Sequence, residues 1–142
     1  MGVTVLAPMV SFGYAHDLEI TTDRMILSEN VCFLGYPFNF ATGDKGINAG
    51  FPVPFVKKAI VSAFEDSTIY LDGHNNPGFS GGGGVIRADK PDQVIGVISG
   101  YKFVNEPVFV NGGETTPYYT KSNTGITQAS DSSVILEILR RN

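Results

Sequence analysis

Ser80 stands within Pro77-Gly78-Phe79-Ser80-Gly81-Gly82-Gly83-Gly84, where one hydroxyl is flanked by residues with almost no side chain to keep a ligand off the backbone. Glycine permits main-chain conformations closed to other residues, and Pro77 stiffens the entry to the turn. A serine held this way can attack a carbonyl, with its own N–H and that of Gly78 aimed at the developing oxyanion. The same octapeptide also reads as a glycine-rich hairpin loop in which Ser80 is merely solvated. The residues alone leave both readings open.

Two other chemistries fit the glycines less well. Gly78-Phe79-Ser80-Gly81-Gly82 satisfies the G-x-S-x-G nucleophile elbow, but an elbow needs a helix directly after the serine and a histidine later in the chain. Here glycines and then Val85-Ile86 follow, and no histidine lies beyond Ser80. A phosphate loop needs Gly-Lys-Ser/Thr opening a helix, and no lysine occupies that place.

The elements that must position Ser80 are short β-rich runs punctuated by Gly, Pro, Asn and Asp. They cover Val3 to Leu6, Val31 to Tyr36, Phe55 to Phe64, Thr68 to Leu71, Val85 to Ala88, Val94 to Ser99, Lys102 to Val104 and Thr124 to Gln128. Such spacing predicts an all-β sandwich or barrel. Ser80 then tops a connection between the Thr68 and Val85 strands. Asn111 to Pro117 reads as a long exposed turn that could rim a cleft. Only the C-terminus reads as helix: Ser130 or Asp131 can cap it, Arg140 and Arg141 suit its C-terminal end, and Val134, Ile135, Ile138 and Leu139 form an apolar stripe expected to pack into the core.

A chain of 142 residues with 42% hydrophobic and 17% charged residues is a folded composition, long enough for one domain with a real core. The net charge of −4 and pI near 5.0 leave no electrostatic footprint for nucleic acid or an anionic membrane. No apolar run approaches the roughly 20 residues of a membrane helix. The one cysteine, Cys32, has no intrachain partner and is expected to be a buried small hydrophobe, so neither a disulfide nor a zinc site is expected. No cofactor is implied. The opening residues lack the positive region of a signal peptide, which with the single cysteine favours a cytoplasmic setting.

Taken in order, these motifs resemble the trypsin-like (chymotrypsin-fold) serine peptidases. Asp17-Leu18-Glu19-Ile20 looks like the strand bearing that family's catalytic aspartate. Val31-Cys32-Phe33-Leu34-Gly35-Tyr36-Pro37 is similar to the strand that opens its second barrel, and Lys58-Ala59-Ile60-Val61-Ser62 to the next. Gly78-Phe79-Ser80-Gly81-Gly82 matches the nucleophile motif, with Gly83 where proline is usual. Val94-Ile95-Gly96-Val97-Ile98-Ser99-Gly100-Tyr101 resembles the strand that pairs with bound substrate, and Thr124 to Thr127 with the final helix resembles the family's C-terminal end.

The resemblance implies an antiparallel six-stranded Greek-key barrel with a C-terminal helix, residues 30–142, preceded by a remnant of a first barrel and a linker, residues 1–29. It implies a peptide or protein substrate cleaved through an acyl-enzyme at Ser80. The N–H groups of Gly78 and Ser80 would form the oxyanion hole, and Asp17 would orient the base. His74 would lie at the floor of the primary specificity pocket, with Ser99, Gly100 and Tyr101 as its wall. On the residues alone, Asp17 also reads as a solvated strand-end acid and His74 as an exposed loop histidine.

The base itself is missing from the pattern. Of the two histidines, His16 adjoins Asp17 and in a strand would face the other way, while His74 sits at the pocket position. The chain therefore looks like the second barrel of a peptidase whose first barrel is absent, and on its own it is expected to hydrolyse peptides poorly or not at all. The face meant for that barrel would favour self-association or a partner. Two further readings stay open: a non-catalytic module that binds extended peptides along Ser99 to Tyr101, and an unrelated small barrel.

Overall fold

Val31, Phe33 and Gly35 are buried while Cys32 and Leu34 between them are only partly covered, the period of two that a strand imposes when one face meets a core. The same alternation runs through the rest of the sheet. The structure, a computed structural model, describes residues 19–23, 25–39, 54–81, 84–90 and 93–141. The expected strand at Val3 to Leu6, His16, Asp17, Gly82 and Gly83 lie outside them. The elements are β1 (Glu19–Ile20), β2 (Asn30–Gly35), a 3-10 turn (Pro37–Asn39), β3 (Phe55–Glu65), β4 (Thr68–Asp72), β5 (Gly84–Arg87), β6 (Gln93–Val110), β7 (Glu114–Asp131) and helix α1 (Ser132–Arg141).

Antiparallel pairing runs from β2 to β3, β4, β7, β6, β5 and back to β2, so six strands close into a ring. Each contributes buried apolar side chains to one cluster: Val31 and Phe33, Ala59 and Val61, Ile69 and Leu71, Val85, Ile95 and Ile98, and Ala129. Burying one such side chain is worth about 1.5–3 kcal/mol. Phe79 joins this cluster from the loop between β4 and β5.

The sheet as a whole is mixed, because β1 lies parallel to β6 at Gln93 and Val94. β7 stops at Asp131, opposite Gly96, and leaves that end of β6 unpaired. β1 takes the vacant edge, and the chain is tied there by Thr21 N–H to the Val94 carbonyl at 3.1 Å and Ser132 Oγ–H to the Thr21 carbonyl at 2.5 Å.

Four expectations need correction. Val94 to Ser99 and Lys102 to Val104 are one strand, since bulges between Ile98 and Gly100 and between Tyr101 and Phe103 absorb the irregular residues without ending it. The turn expected from Asn111 to Pro117 is only Asn111–Gly113, with Asn111 and Gly112 at positive φ, and Pro117 lies within β7. Beyond the ring, β6 and β7 thus continue as a two-stranded ribbon with exposed Phe109 and Tyr118. Cys32 is half-buried, because it points to the outer face of β2. Helix α1 is capped as expected, with Asp131 Oδ1 accepting the Ser133 N–H at 2.8 Å. Its apolar stripe, however, is half-buried at Val134 and Ile135 and then runs out to solvent, with Ile138 and Leu139 42% and 47% exposed.

Candidate functional site

The Ser80 turn is built around its neighbour, Phe79. That ring is fully buried and meets Phe33 edge-on, with centroids 5.3 Å apart and planes at 79°. Gly35 ends β2 beneath it, where a Cβ would overlap the Phe79 ring. The backbone before Phe79 is pinned to the chain after β2: the Tyr36 N–H donates to the Gly78 carbonyl at 3.2 Å and the Phe38 N–H to the Pro77 carbonyl at 2.8 Å. Gly78 has φ +105°, and a Cβ there would run into the Tyr36 carbonyl oxygen. After the serine, Gly81 N–H donates to the Ile98 carbonyl at 2.8 Å and anchors the turn to β6.

These anchors sort the amides of the turn. The Phe79 N–H turns back on the Asn76 carbonyl at 3.4 Å, whereas among the described residues neither the Gly78 nor the Ser80 N–H donates to a backbone carbonyl. Gly78 and Ser80 are both exposed. Among the described residues, two amides without a backbone acceptor thus stand beside an exposed serine within three residues, the kinds of donor an oxyanion would use.

The segment leading into the turn is held by three side chains from distant strands. Lys57 Nζ, from β3, donates to the His74 carbonyl at 2.6 Å and to Asn76 Oδ1 at 2.5 Å, and lies 5.1 Å from the centre of the Phe79 ring. Partial burial holds the Lys57 ammonium below the usual lysine range. Asn123 Nδ2, from β7, donates to the Asn75 carbonyl at 2.5 Å and approaches His74 Nε2 at 3.5 Å. Thr127 Oγ1–H donates to the Gly73 carbonyl at 2.5 Å.

Asn75, fully buried, donates through Nδ2 to the Gly100 carbonyl at 2.9 Å and so links the loop to β6. Ser99 is exposed at the bulge and Tyr101 half-covered. β5 pairs with β6 only from Val94 to Val97. Among the described residues, β6 from Ser99 onward has no strand on that side, and this open edge begins one residue after the carbonyl that anchors Gly81.

The structure thus brings together Gly78, Ser80, His74, Ser99, Gly100 and Tyr101 around one loop and one strand edge. Asp17 and His16 lie outside the described residues. A cleft of ≈ 860 Å³ lined by Thr21, Met25, Ile26, Phe64 and Asp131 opens elsewhere and includes none of these groups. Lys57, Phe79 and Asn123 were not singled out from the sequence. Lys57 had a signal, because it shares the phase of Ala59 and Val61 in β3 and pairs with buried Phe33, and a lysine on a core face needs a reason. Asn123 had none.

No protein-family model matches the chain, and no curated protein matches it.

Proposed function

We propose that this chain carries the nucleophile-bearing barrel of a trypsin-like serine peptidase, in which Ser80 forms an acyl-enzyme with a peptide substrate. The observation that carries the reading is the alternation of amides around Phe79, whose own N–H is bonded to the Asn76 carbonyl while those of Gly78 and Ser80 have no backbone acceptor among the described residues, beside an exposed serine. The ring supports the finer fold. β2, β3 and β4 are successive neighbours and β5 returns beside β2, an order compatible with a Greek key, which supports the reading as a six-stranded barrel of this type. In this reading residues 1–29 belong to the first barrel and linker, and 30–142 form the second.

In the reaction, Ser80 Oγ bonds to the scissile carbonyl carbon while its proton passes to a base. The Gly78 and Ser80 amides hold the negative oxygen, and as it collapses the C–N bond breaks and the base returns the proton to the leaving amine. Water then repeats the sequence on the acyl-enzyme. Among the described residues His74 is the one histidine, and the pocket position is its role here. In this reading the base is a histidine of the first barrel, neither His16 nor His74, oriented by Asp17. The decisive test is a fluorophosphonate probe applied to the protein expressed from its natural gene. Covalent labelling that disappears in Ser80→Ala is expected; no labelling, or labelling that survives the substitution, ends the proposal.

The edge of β6 from Ser99 to Tyr101, which has no strand beside it among the described residues although Asn75 Nδ2 holds the Gly100 carbonyl, favours a second reading, a module that only binds. An extended peptide could add to that edge as a strand. Peptide binding that persists in Ser80→Ala, in a protein that never labels, is the result that would select it.

A further inference from the structure

Lys57 is placed unusually for a lysine. It sits in β3 opposite Phe33, on the face that buries Ala59 and Val61, and among the described residues it forms no ion pair with a carboxylate. Its ammonium instead meets the His74 carbonyl, the Asn76 side-chain oxygen and the Phe79 ring. All three belong to the six residues that run directly into Ser80. A compact cation with three donors suits such a convergent set of acceptors better than a planar guanidinium would.

We propose that Lys57 is the positioning residue of the Ser80 turn, fixing Asn76 and Phe79 so that the Phe79 amide turns inward and those of Gly78 and Ser80 face out. The chain of contacts is short. Lys57 holds Asn76 through its side chain, the Asn76 carbonyl takes the Phe79 N–H, and Phe79 is clamped between the Lys57 ammonium and Phe33. With the Phe79 N–H bonded to the Asn76 carbonyl and Gly78 held at φ +105°, the two flanking amides are left without a backbone acceptor among the described residues. Asn123 secures the same segment from another strand through the Asn75 carbonyl, but among the described residues it is hydrogen-bonded to neither Asn76 nor Phe79. The catalytic meaning of this arrangement rests on the peptidase reading; the geometry of the turn does not.

The test compares the parent chain with Lys57→Met, Lys57→Arg and, as a control on the same strand, Lys58→Met. Amide exchange at Phe79 and Gly81, followed by NMR, reports the turn; exchange in the β3–β4 ladder reports the ring. Lys57→Met is expected to speed exchange at Phe79 and Gly81 by about ten- to a hundredfold, the scale of one hydrogen bond from a charged donor, with the ladder unchanged. Lys57→Arg restores part of the protection, and Lys58→Met alters neither.

The fluorophosphonate rate at Ser80, measured in the protein from its natural gene, falls at least about tenfold in Lys57→Met. Local exchange that rises in a parent protein that never labels supports the positioning role and removes the peptidase reading. Parental exchange at Phe79 and Gly81 in Lys57→Met, a uniform rise across the whole ring, or an unchanged labelling rate in a protein that does label overturns the role of Lys57.

Discussion

The side-chain amide of Asn123 donates to the main-chain oxygen of Asn75 across 48 residues of sequence, so the root of the β6–β7 ribbon is tied to the loop that carries Ser80. The other end of the carboxamide accepts the Gly125 N–H at 2.9 Å, where the chain turns through a φ of +80°.

Replacing Asn123 with alanine removes both bonds and leaves the Asn75 carbonyl without this donor. A loss of about 1–3 kcal/mol in urea unfolding is expected, together with slower labelling of Ser80. Stability within error of the parent would show that the tie between ribbon and loop carries no weight.

Two glycines of the turn separate backbone strain from overlap. Gly78→Ala must place a Cβ against the Tyr36 carbonyl at a φ of +105° and is expected to cost about 3 kcal/mol or more. Gly81→Ala also imposes a positive φ, +70°, but meets nothing within 4 Å among the described residues, so about 1–2 kcal/mol is expected. Thermal unfolding of the two variants in parallel checks the order, and equal losses would contradict the packing of Tyr36 on Gly78.

Neighbouring residues of the motif should respond in opposite ways. Phe79→Ala opens a cavity beside Phe33 and should cost about 3–5 kcal/mol. Ser80 is exposed, and Ser80→Ala should change stability by no more than about 0.5 kcal/mol while abolishing labelling. A destabilised Ser80→Ala protein would mean that the hydroxyl serves the fold.

Tyr70 donates its hydroxyl to Glu65 Oε2 at 2.6 Å. That hydrogen bond, then partial burial and the nearby negative charge, raise the phenol above its ordinary value of 10.0. A phenol raised in the folded state favours folding below the unfolded value, and the contribution disappears as pH climbs through the folded one. The parent should therefore lose stability relative to Tyr70→Phe as pH rises above about 10, and Glu65→Gln should bring the phenol absorbance titration down. Parallel alkaline unfolding profiles for parent and Tyr70→Phe would refute this assignment.

Much of the ring was legible along the chain because strand formation leaves a local trace. The β-rich runs Val31 to Tyr36, Phe55 to Phe64 and Thr68 to Leu71 bracketed β2, β3 and β4 to within a residue, since every second side chain must face the core. The motif at Ser80 was equally visible, because glycines that permit a positive φ are written where they act. The ribbon was not, since bulges interrupt the alternation that would have revealed one long strand. Nor was the outward course of α1, whose amphipathic stripe specifies a face but not what covers it.

The sequence by itself determined a β-rich chain with a closing helix and a serine set among glycines, because propensity, alternation and permitted backbone angles are properties of neighbouring residues. Only the tertiary structure decided which amides beside that serine have a backbone acceptor among the described residues, and that Lys57, Asn75 and Asn123 hold the loop in place. Those contacts join residues on separate strands, and hydrogen bonds made after the ring has closed leave no periodic mark on the chain that makes them.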